Sequence, residues 1–480
     1  MKETDYNGLG LKCGLEIHQQ LDTNKLFCDC PSFLRQEKPD FTFVRRLHAI
    51  AGESGEIDVA VKYQSDKDQE FTYEGYNTTC LVELDEEPCH QINSEALKIG
   101  LQIALLLNCE PLKYSQIMRK TVIDGSNTSG FQRTVLIAKD GFIETSLGKV
   151  RVDSVAIEED AARIIQRDGK KTIFRIDRLG IPLVEIATAP DIRNPQQAKE
   201  AALFIGDILR SCKVKRGIGT IRQDVNMSIK KGVRVEIKGV QDPDLIVKTI
   251  DSEILRQLKI IENKGKIEKE VRKANVDGST EFLRPLPGAA RMYPETDLSL
   301  LKLSKELIND VKNSLPKLKS ELRGELEGKG LNNEMIKLVL EYDKVEEFRE
   351  LSKSYKNPSL IAKILTLFSR ELATKKEMEL EQVNTKLSDY YNDILSALNK
   401  GKISEGQVKD VLEKILDGKS FIEALKFDSR STNEIEEKLM KIVKDKPGLS
   451  ENAYMGLLMK EFKGSVDGKI LMELIKKHIK

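Results

Sequence analysis

No stretch of this 480-residue chain approaches the roughly 20 consecutive apolar residues that a membrane-spanning helix needs. The N-terminus, MKETDYNGLG, also lacks the apolar core of a secretory signal. A cytoplasmic protein with no membrane partner is expected. An excess of charge of one sign is missing too: 78 Lys and Arg stand against 77 Asp and Glu, for a net charge of +1. No global field draws the chain onto nucleic acid, so any such binding rests on local patches. The seven cysteines, Cys13, Cys28, Cys30, Cys80, Cys89, Cys109 and Cys212, are odd in number and irregular in spacing. That pattern speaks for reduced thiols rather than a disulfide framework. Cys28-Asp29-Cys30, with Cys80 and Cys89 later, leaves zinc as an alternative, but structural zinc sites usually show paired CxxC knuckles and only a CxC occurs here. Zinc is therefore not the expectation.

Several catalytic signatures are absent as well. The chain has no G-x-x-x-x-G-K-[ST] loop, no H-E-x-x-H pair and no G-x-S-x-G nucleophile elbow. Walker-type ATPases, zincins and α/β-hydrolases are thereby set aside. The stretch Asp124–Gly130 (DGSNTSG), which includes Ser129, suits an anion-binding turn and equally a plain loop.

At 480 residues the chain exceeds one compact core, and two to four domains are expected. Composition changes near residue 300. Eleven of the 14 prolines and all the cysteines precede it, among short alternating runs bounded by Gly, Asn and Asp. After it, Lys, Glu, Leu and Ile recur at helical spacing. The fold class is α+β, a mixed-sheet domain followed by all-helical segments. Strands are predicted at Leu11–Ile17, Lys149–Ile157, Leu183–Ala187, Ile221–Ile229 and Val233–Val240, and helices at Ser94–Leu107 and Gln196–Ser211. Leu283–Pro294, with three prolines and a glycine, reads as an ordered loop. Lys375–Leu387 is polar and charged, a natural place for a boundary.

The first strand carries the first chemical hint. Side chains alternate faces, so Leu11, Cys13, Leu15 and Ile17 point to the core while Glu16 and His18 share the other face. Gly14 leaves room there for a ligand or another backbone. A solvated outer face explains one Glu and one His equally well. The other strands add weight: Arg222, Asp224, Asn226 and Ser228 share one face of Ile221–Ile229, and Arg234, Glu236 and Lys238 one face of Val233–Val240. Glu185 sits in an otherwise apolar strand, where a carboxylate needs a partner or a cation. Lys149–Ile157 runs into Glu158-Glu159-Asp160. One sheet face bearing this many hard oxygen ligands suits Mg²⁺, and the neighbouring Arg222, Asn226 and Lys238 suit the phosphates of a nucleotide such as ATP. An ion-pair network on a solvated sheet is the competing account, and periodicity leaves the two even.

At these residues the sequence resembles a known family. GLEIHQQL, NTTCLVELDEEP, MRKTVIDGSNTSGFQRT, EEDAAR, DRLGIPLVEIATAPDIR, GTIRQDVNMSI, VRVEIKGVQD and GAARMYPETD are similar to archaeal glutamyl-tRNA(Gln) amidotransferase E subunits, relatives of the bacterial and organellar B subunits. The match runs in order from Leu11 to about Asp297. The resemblance implies a cradle-like catalytic domain over 1–302, a helical domain over 303–377 and a small helical tail over 378–480 that contacts tRNA. It implies that ATP phosphorylates the side-chain carboxylate of glutamate carried on tRNA(Gln), and that ammonia displaces the phosphate. By position, the family's metal-site motifs fall on Glu16, His18, Glu159, Asp224 and Glu236, with Glu185 a weaker candidate. Alternation does not separate Glu158 from Glu159, and the family pattern favours Glu159. Lys120 matches a position near the family's ammonia-tunnel outlet.

The resemblance also implies an asparaginase-like partner of the D type, which makes ammonia from glutamine in a hetero-oligomer. No amide-hydrolysing nucleophile constellation is recognisable in this sequence. One departure is clear. E subunits usually carry a large inserted domain before LRPLPGAARMYPETD, like one found in aspartyl-tRNA synthetases, and here only about 264–275 (KGKIEKEVRKAN) fills that place. Its absence puts in doubt any tRNA contact the insertion makes. Lys460, Lys463, Lys469, Lys476 and Lys477 of the tail are candidate phosphate contacts. Two other readings stay open: a B-type subunit working with an amidase-type partner, and a non-catalytic tRNA-binding protein.

Overall fold

In the computed structural model the described residues are 5–51, 55–286, 288, 291–427, 432–462 and 468–478. The chain divides into two compact units, Met1–Leu318 and Lys319–Lys480. None of the helices among the described residues is long and apolar enough to cross a membrane.

The first unit is built on an eleven-stranded mixed sheet. Its main strands are β1 (Lys12–Gln20), β2 (Ile117–Thr121), β3 (Phe131–Thr145), β4 (Gly148–Glu159), β5 (Pro182–Thr188), β6 (Ile221–Ser228), β7 (Val235–Lys238), β8 (Glu270–Ala274), β9 (Thr280–Pro285) and β10 (Met292–Pro294). Their spatial order is β9-β8-β7-β6-β1-β5-β4-β3-β2-β10, with a two-residue strand, Glu110–Pro111, pairing β3. Pairing is antiparallel except between β7 and β8.

One face of this sheet is apolar. Cys13, Leu15, Ile17, Val155, Ile157, Val184, Ile186, Val225, Met227, Val235 and Ile237 are all buried in one core. Helices α1 (Ser94–Leu106), α2 (Pro195–Ser211) and α3 (Pro243–Glu262) contribute Ile99, Ile103, Ile205, Ile208, Ile250 and Ile254 to the same core. Each side chain of this size contributes about 1.5–3 kcal/mol on burial. The helices start where the sequence says they should. Asn93, Asn194 and Asp242 cap the free N–H groups of their first turns, and α2 and α3 carry proline at the first position. With helices on the apolar face, the opposite face is left to polar chemistry.

Gly14 admits another backbone rather than a ligand: a Cβ there would lie 2.9 Å from the Thr188 carbonyl oxygen and 3.2 Å from that of Ala189. One expected loop, and the short segment in the place of the usual insertion, prove to be built into the sheet. The 264–275 segment holds β8, which extends the sheet beside β7, and Leu283–Pro294 holds the end of β9 and all of β10. A second, four-stranded sheet of Phe41–Arg45, Glu70–Gly75, Lys171–Arg175 and Arg163–Asp168 was not anticipated.

The helical boundaries differ from the expected 302/303 and 377/378. The helix Lys305–Asn313 buries Val311 in the sheet domain's core, and Gln102 donates to the Ser314 carbonyl at 2.9 Å, so the first unit runs on to Leu318. In the second unit a single core spans Leu326 to Ala424. Val383 and Leu387, inside the polar 375–387 stretch, are buried in it, because their helix turns its few apolar residues inward. A smaller core joins Ile435, Leu439, Tyr454, Leu458, Leu471, Leu474 and Ile475 from the three terminal helices. Of the tail lysines, Lys477 pairs with Glu436 at 3.0 Å and Lys463 lies outside the described residues.

Candidate active site

Register places the polar side chains of four strands on one face. His18 of β1 stands opposite Glu185 of β5 on one side and Arg222 of β6 on the other, while Glu16 stands opposite Asp224. Asn226 is opposite Glu236 of β7. Because cross-strand partners share a face, these residues converge.

At the centre is a nest of carboxylates around one imidazole. His18 Nε2 lies 3.6 Å from Glu16, 3.5 Å from Glu158 and 3.5 Å from Glu185. Burial disfavours the charged imidazole, but hydrogen bonds and attraction from Glu158 and Glu185 raise its pKa to about 10. Burial, then repulsion from Glu185, pushes Glu16 up to about 7. Lys120 of β2 donates to Glu158 at 2.7 Å and lies 3.6 Å from Glu185. The nest thus gathers three acids around one imidazole, whose charged form Glu158 and Glu185 favour, with one lysine beside them. A divalent cation is the other way to balance the same charges. Donor atoms of Glu16, His18 and Glu185 lie within 4.8 Å of one another, compact enough to share one ion.

A second group adjoins the first. Lys238 lies 2.7 Å from both Asp224 and Glu236, and the N–H of Gly239 donates to Asp224 at 3.2 Å. Asp224 and Glu236 are therefore engaged by an ammonium rather than part of the compact donor set. Arg222 donates to Asp160 at 2.7 Å, and Asn226 accepts from Arg234 at 3.0 Å. Apart from Asn226, which lines neither, these groups line two adjacent hollows, one of about 400 Å³ and one of about 250 Å³, which share His18, Gln132, Glu158 and Lys238.

Two expected site residues lie elsewhere. Glu159, favoured by the family pattern, points to the opposite side of β4 from Glu158, where it accepts from the Arg133 backbone N–H at 3.1 Å and pairs with its guanidinium at 3.4 Å. The strand's own alternation explains this: Val155 and Ile157 face the core, so Glu159 follows them and Glu158 faces the cleft. Ser129 donates to the Phe131 carbonyl at 2.9 Å and lines a small separate hollow with Arg133 and Glu159. Glu158 and Asp160 are named in the sequence only as members of an acid cluster, and the residues that sequence reasoning missed are Gln132, Arg284 and Arg291. No local pattern marks the two arginines, and the phase change within β4 hid the choice between Glu158 and Glu159.

A second metal-like cluster lies apart from the cleft. Cys28, Cys30 and Cys80 bring their sulfur atoms within 4.8 Å of one another and of a Glu83 oxygen, whereas Cys89 stays outside this group. Glu83 accepts from the Cys80 N–H at 2.8 Å and contacts the fully buried ammonium of Lys25.

Comparison with known proteins bears on these geometries. A family model described as the GatB/GatE catalytic domain matches residues 11–309, which covers the whole sheet and every residue of the cleft. The chain belongs to this family. A second model, described as a GatB domain, matches 346–479 in the helical unit. Relatives named as the E subunit of glutamyl-tRNA(Gln) amidotransferase are similar along the full chain. That of Methanocaldococcus jannaschii is 38% identical with 100% of both chains covered, and that of Methanosarcina barkeri is 35% identical with 100% and 99% covered. The Archaeoglobus fulgidus relative is 35% identical, with 99% of each covered. The first of these alignments runs over 635 positions against 480 residues here, so that family member carries residues this chain does without. A surplus of that kind is what a missing inserted domain would leave.

Proposed function

We propose that this chain is the transamidating component of a glutamyl-tRNA(Gln) amidotransferase, using ATP to convert glutamate on tRNA(Gln) into glutamine. The observation that carries this reading is the nest around His18, where Glu16, Glu158 and Glu185 face Lys120 inside one cleft. A carboxylate is a poor acyl donor until phosphate becomes its leaving group. In the first step its oxygen attacks the γ-phosphorus of ATP and ADP departs. In the second, ammonia attacks the acyl carbon, phosphate leaves and a proton is lost to give the amide.

Both steps gather anions in a half-buried space, so positioned counter-charge does the catalytic work. Lys120 and Lys238 supply it from the protein. Glu16, His18 and Glu185, with Glu158 beside them, are the groups that would hold Mg²⁺, which when bound would offset the charge of the phosphates. Ammonia is supplied by an asparaginase-like partner of the D type in a hetero-oligomer. The E-type relatives favour that partner over an amidase-type one. The tail contacts tRNA phosphates. Although the sequence alone does not favour zinc, Cys28, Cys30, Cys80 and Glu83 are the groups that would hold a structural zinc ion, with the Lys25 ammonium offsetting part of the surplus negative charge.

The test supplies the isolated chain with glutamyl-tRNA(Gln), ATP, Mg²⁺ and ammonium chloride. Glutaminyl-tRNA and stoichiometric ADP are expected. Binding of tRNA that weakens with salt, with no ADP formed, would overturn the catalytic reading and leave a tRNA-binding protein.

A further inference from the structure

Five cationic side chains line the larger hollow: Lys120, Lys238, Arg234, Arg284 and Arg291. Lys120 is bound to Glu158, Lys238 to Asp224 and Glu236, and Arg234 to Asn226. Among the described residues no hydrogen bond or ion pair engages the guanidinium of Arg284 or Arg291. Asp58, the acid that acts most strongly on Arg291, is taken by backbone donors: Ala60 N–H at 2.8 Å, Val61 N–H at 3.4 Å and Gly288 N–H at 2.7 Å. Both arginines are half-buried, so each loses hydration without gaining a counter-ion. Burial and repulsion by Arg284 further disfavour the charge on Arg291.

Their place in the sheet is informative. Arg284 is on β9 at one edge, and Arg291 immediately precedes β10 at the other. The sheet curls enough for both edges to line the same hollow as the central strands β1 and β5. The two guanidiniums thus share a hollow with the carboxylate nest, two cations there that no acid among the described residues has paired.

We propose that Arg284 and Arg291 form a phosphoryl clamp, holding the non-bridging oxygens of the group that passes from ATP to glutamate and leaves as phosphate. The clamp rests on the amidotransferase reading and assigns residues to its transferred group. In the first step the glutamate oxygen–phosphorus bond forms and the phosphorus–oxygen bond to ADP breaks. In the second, nitrogen bonds to the acyl carbon and the carbon–oxygen bond breaks, the electron pair leaving with phosphate. The same phosphoryl oxygens persist through both steps, and guanidinium forks match them with paired N–H donors.

The experiment compares the full chain with R284Q, R291Q and R291K in two assays, calorimetric binding of ATP and of adenosine, and ADP formation dependent on charged tRNA with ammonium chloride. Either glutamine variant is expected to bind ATP at least about 10-fold more weakly with adenosine binding unchanged, and to form ADP on the order of 100-fold more slowly. R291K restores part of both. Melting temperatures stay near that of the parent chain, since neither guanidinium has a protein partner to lose. Wild-type ADP formation together with unaltered ATP binding and turnover in R284Q and R291Q overturns the clamp alone. A parent chain that forms no ADP overturns the amidotransferase reading and the clamp with it.

Discussion

Glu158 and Glu159 are adjacent in sequence and on opposite faces of β4, so exchanging each for glutamine separates chemistry from stability. Glu158 is buried at the cleft floor, 2.7 Å from Lys120 and 3.5 Å from His18. E158Q keeps the shape but removes the charge that balances both cations, and Lys120 is left with Glu185 at 3.6 Å. A loss of about 100- to 1,000-fold in ADP formation is expected, the size seen when one preorganised electrostatic contact is removed from an active site. Glu159 pairs with Arg133, which also donates to Glu295 at 2.8 Å. E159Q therefore leaves Arg133 with a second carboxylate, and the cost falls at the low end for breaking a buried pair, about 3 kcal/mol. For a unit of this size that is roughly 4–5 °C in Tm. The assay measures charged-tRNA-dependent ADP formation at a temperature where every protein is folded, alongside a melting curve. E159Q is expected to melt early but turn over, and E158Q to turn over poorly at a temperature where it is folded. An inactive E159Q with parental Tm beside an active E158Q would refute the assignment of faces.

Other outcomes follow from the same structure. Glu295 is fully buried; hydrogen bonds from Arg119, the Asp297 N–H and Arg133 outweigh that burial and bring its pKa down to about 2. Because the folded pKa is depressed, its stabilising contribution is complete above the unfolded carboxylate value near 4.3. It is lost as pH falls towards 2, so urea titrations between about pH 5 and pH 2.5 should show a steeper fall for the parent than for E295Q. G14A places a methyl 2.9 Å from the Thr188 carbonyl and should cost about 1–3 kcal/mol in urea unfolding; an unchanged midpoint would mean the two strands are further apart than described. Purified protein is expected to contain one zinc by elemental analysis, lost in C80S with a lower Tm; a zinc-free parent with parental stability counts against the cysteine site.

The elements that position the site were legible because their periodicity is local. β1, β5 and β6 follow from alternation, and α1 and α2 from a 3.6-residue pattern with Asn caps ahead of them. Parity alone puts Glu16 and His18 on one face, and Glu185 joins them only through the pairing of β1 with β5. Glu158 was not separable from Glu159 by alternation: buried Val150 and Val152 set one phase and buried Val155 and Ile157 the other, the phase changing at an irregularity in the pairing with β5. Arg284 and Arg291 were not legible. They lie at opposite edges of the sheet and meet only because the sheet curls, which no window of sequence records. The 375–387 stretch misled for the opposite reason: two buried side chains, Val383 and Leu387, suffice to anchor a helix whose other residues are polar.

Whether glutamate is activated by phosphorylation in this cleft is tested most directly with an isotope. The chain is given glutamyl-tRNA(Gln) whose side-chain carboxylate carries ¹⁸O, together with ATP, Mg²⁺ and ammonium chloride, and the inorganic phosphate is analysed by mass. An acyl phosphate transfers one labelled oxygen to each phosphate released during glutaminyl-tRNA formation. Glutaminyl-tRNA formed with unlabelled phosphate would contradict it.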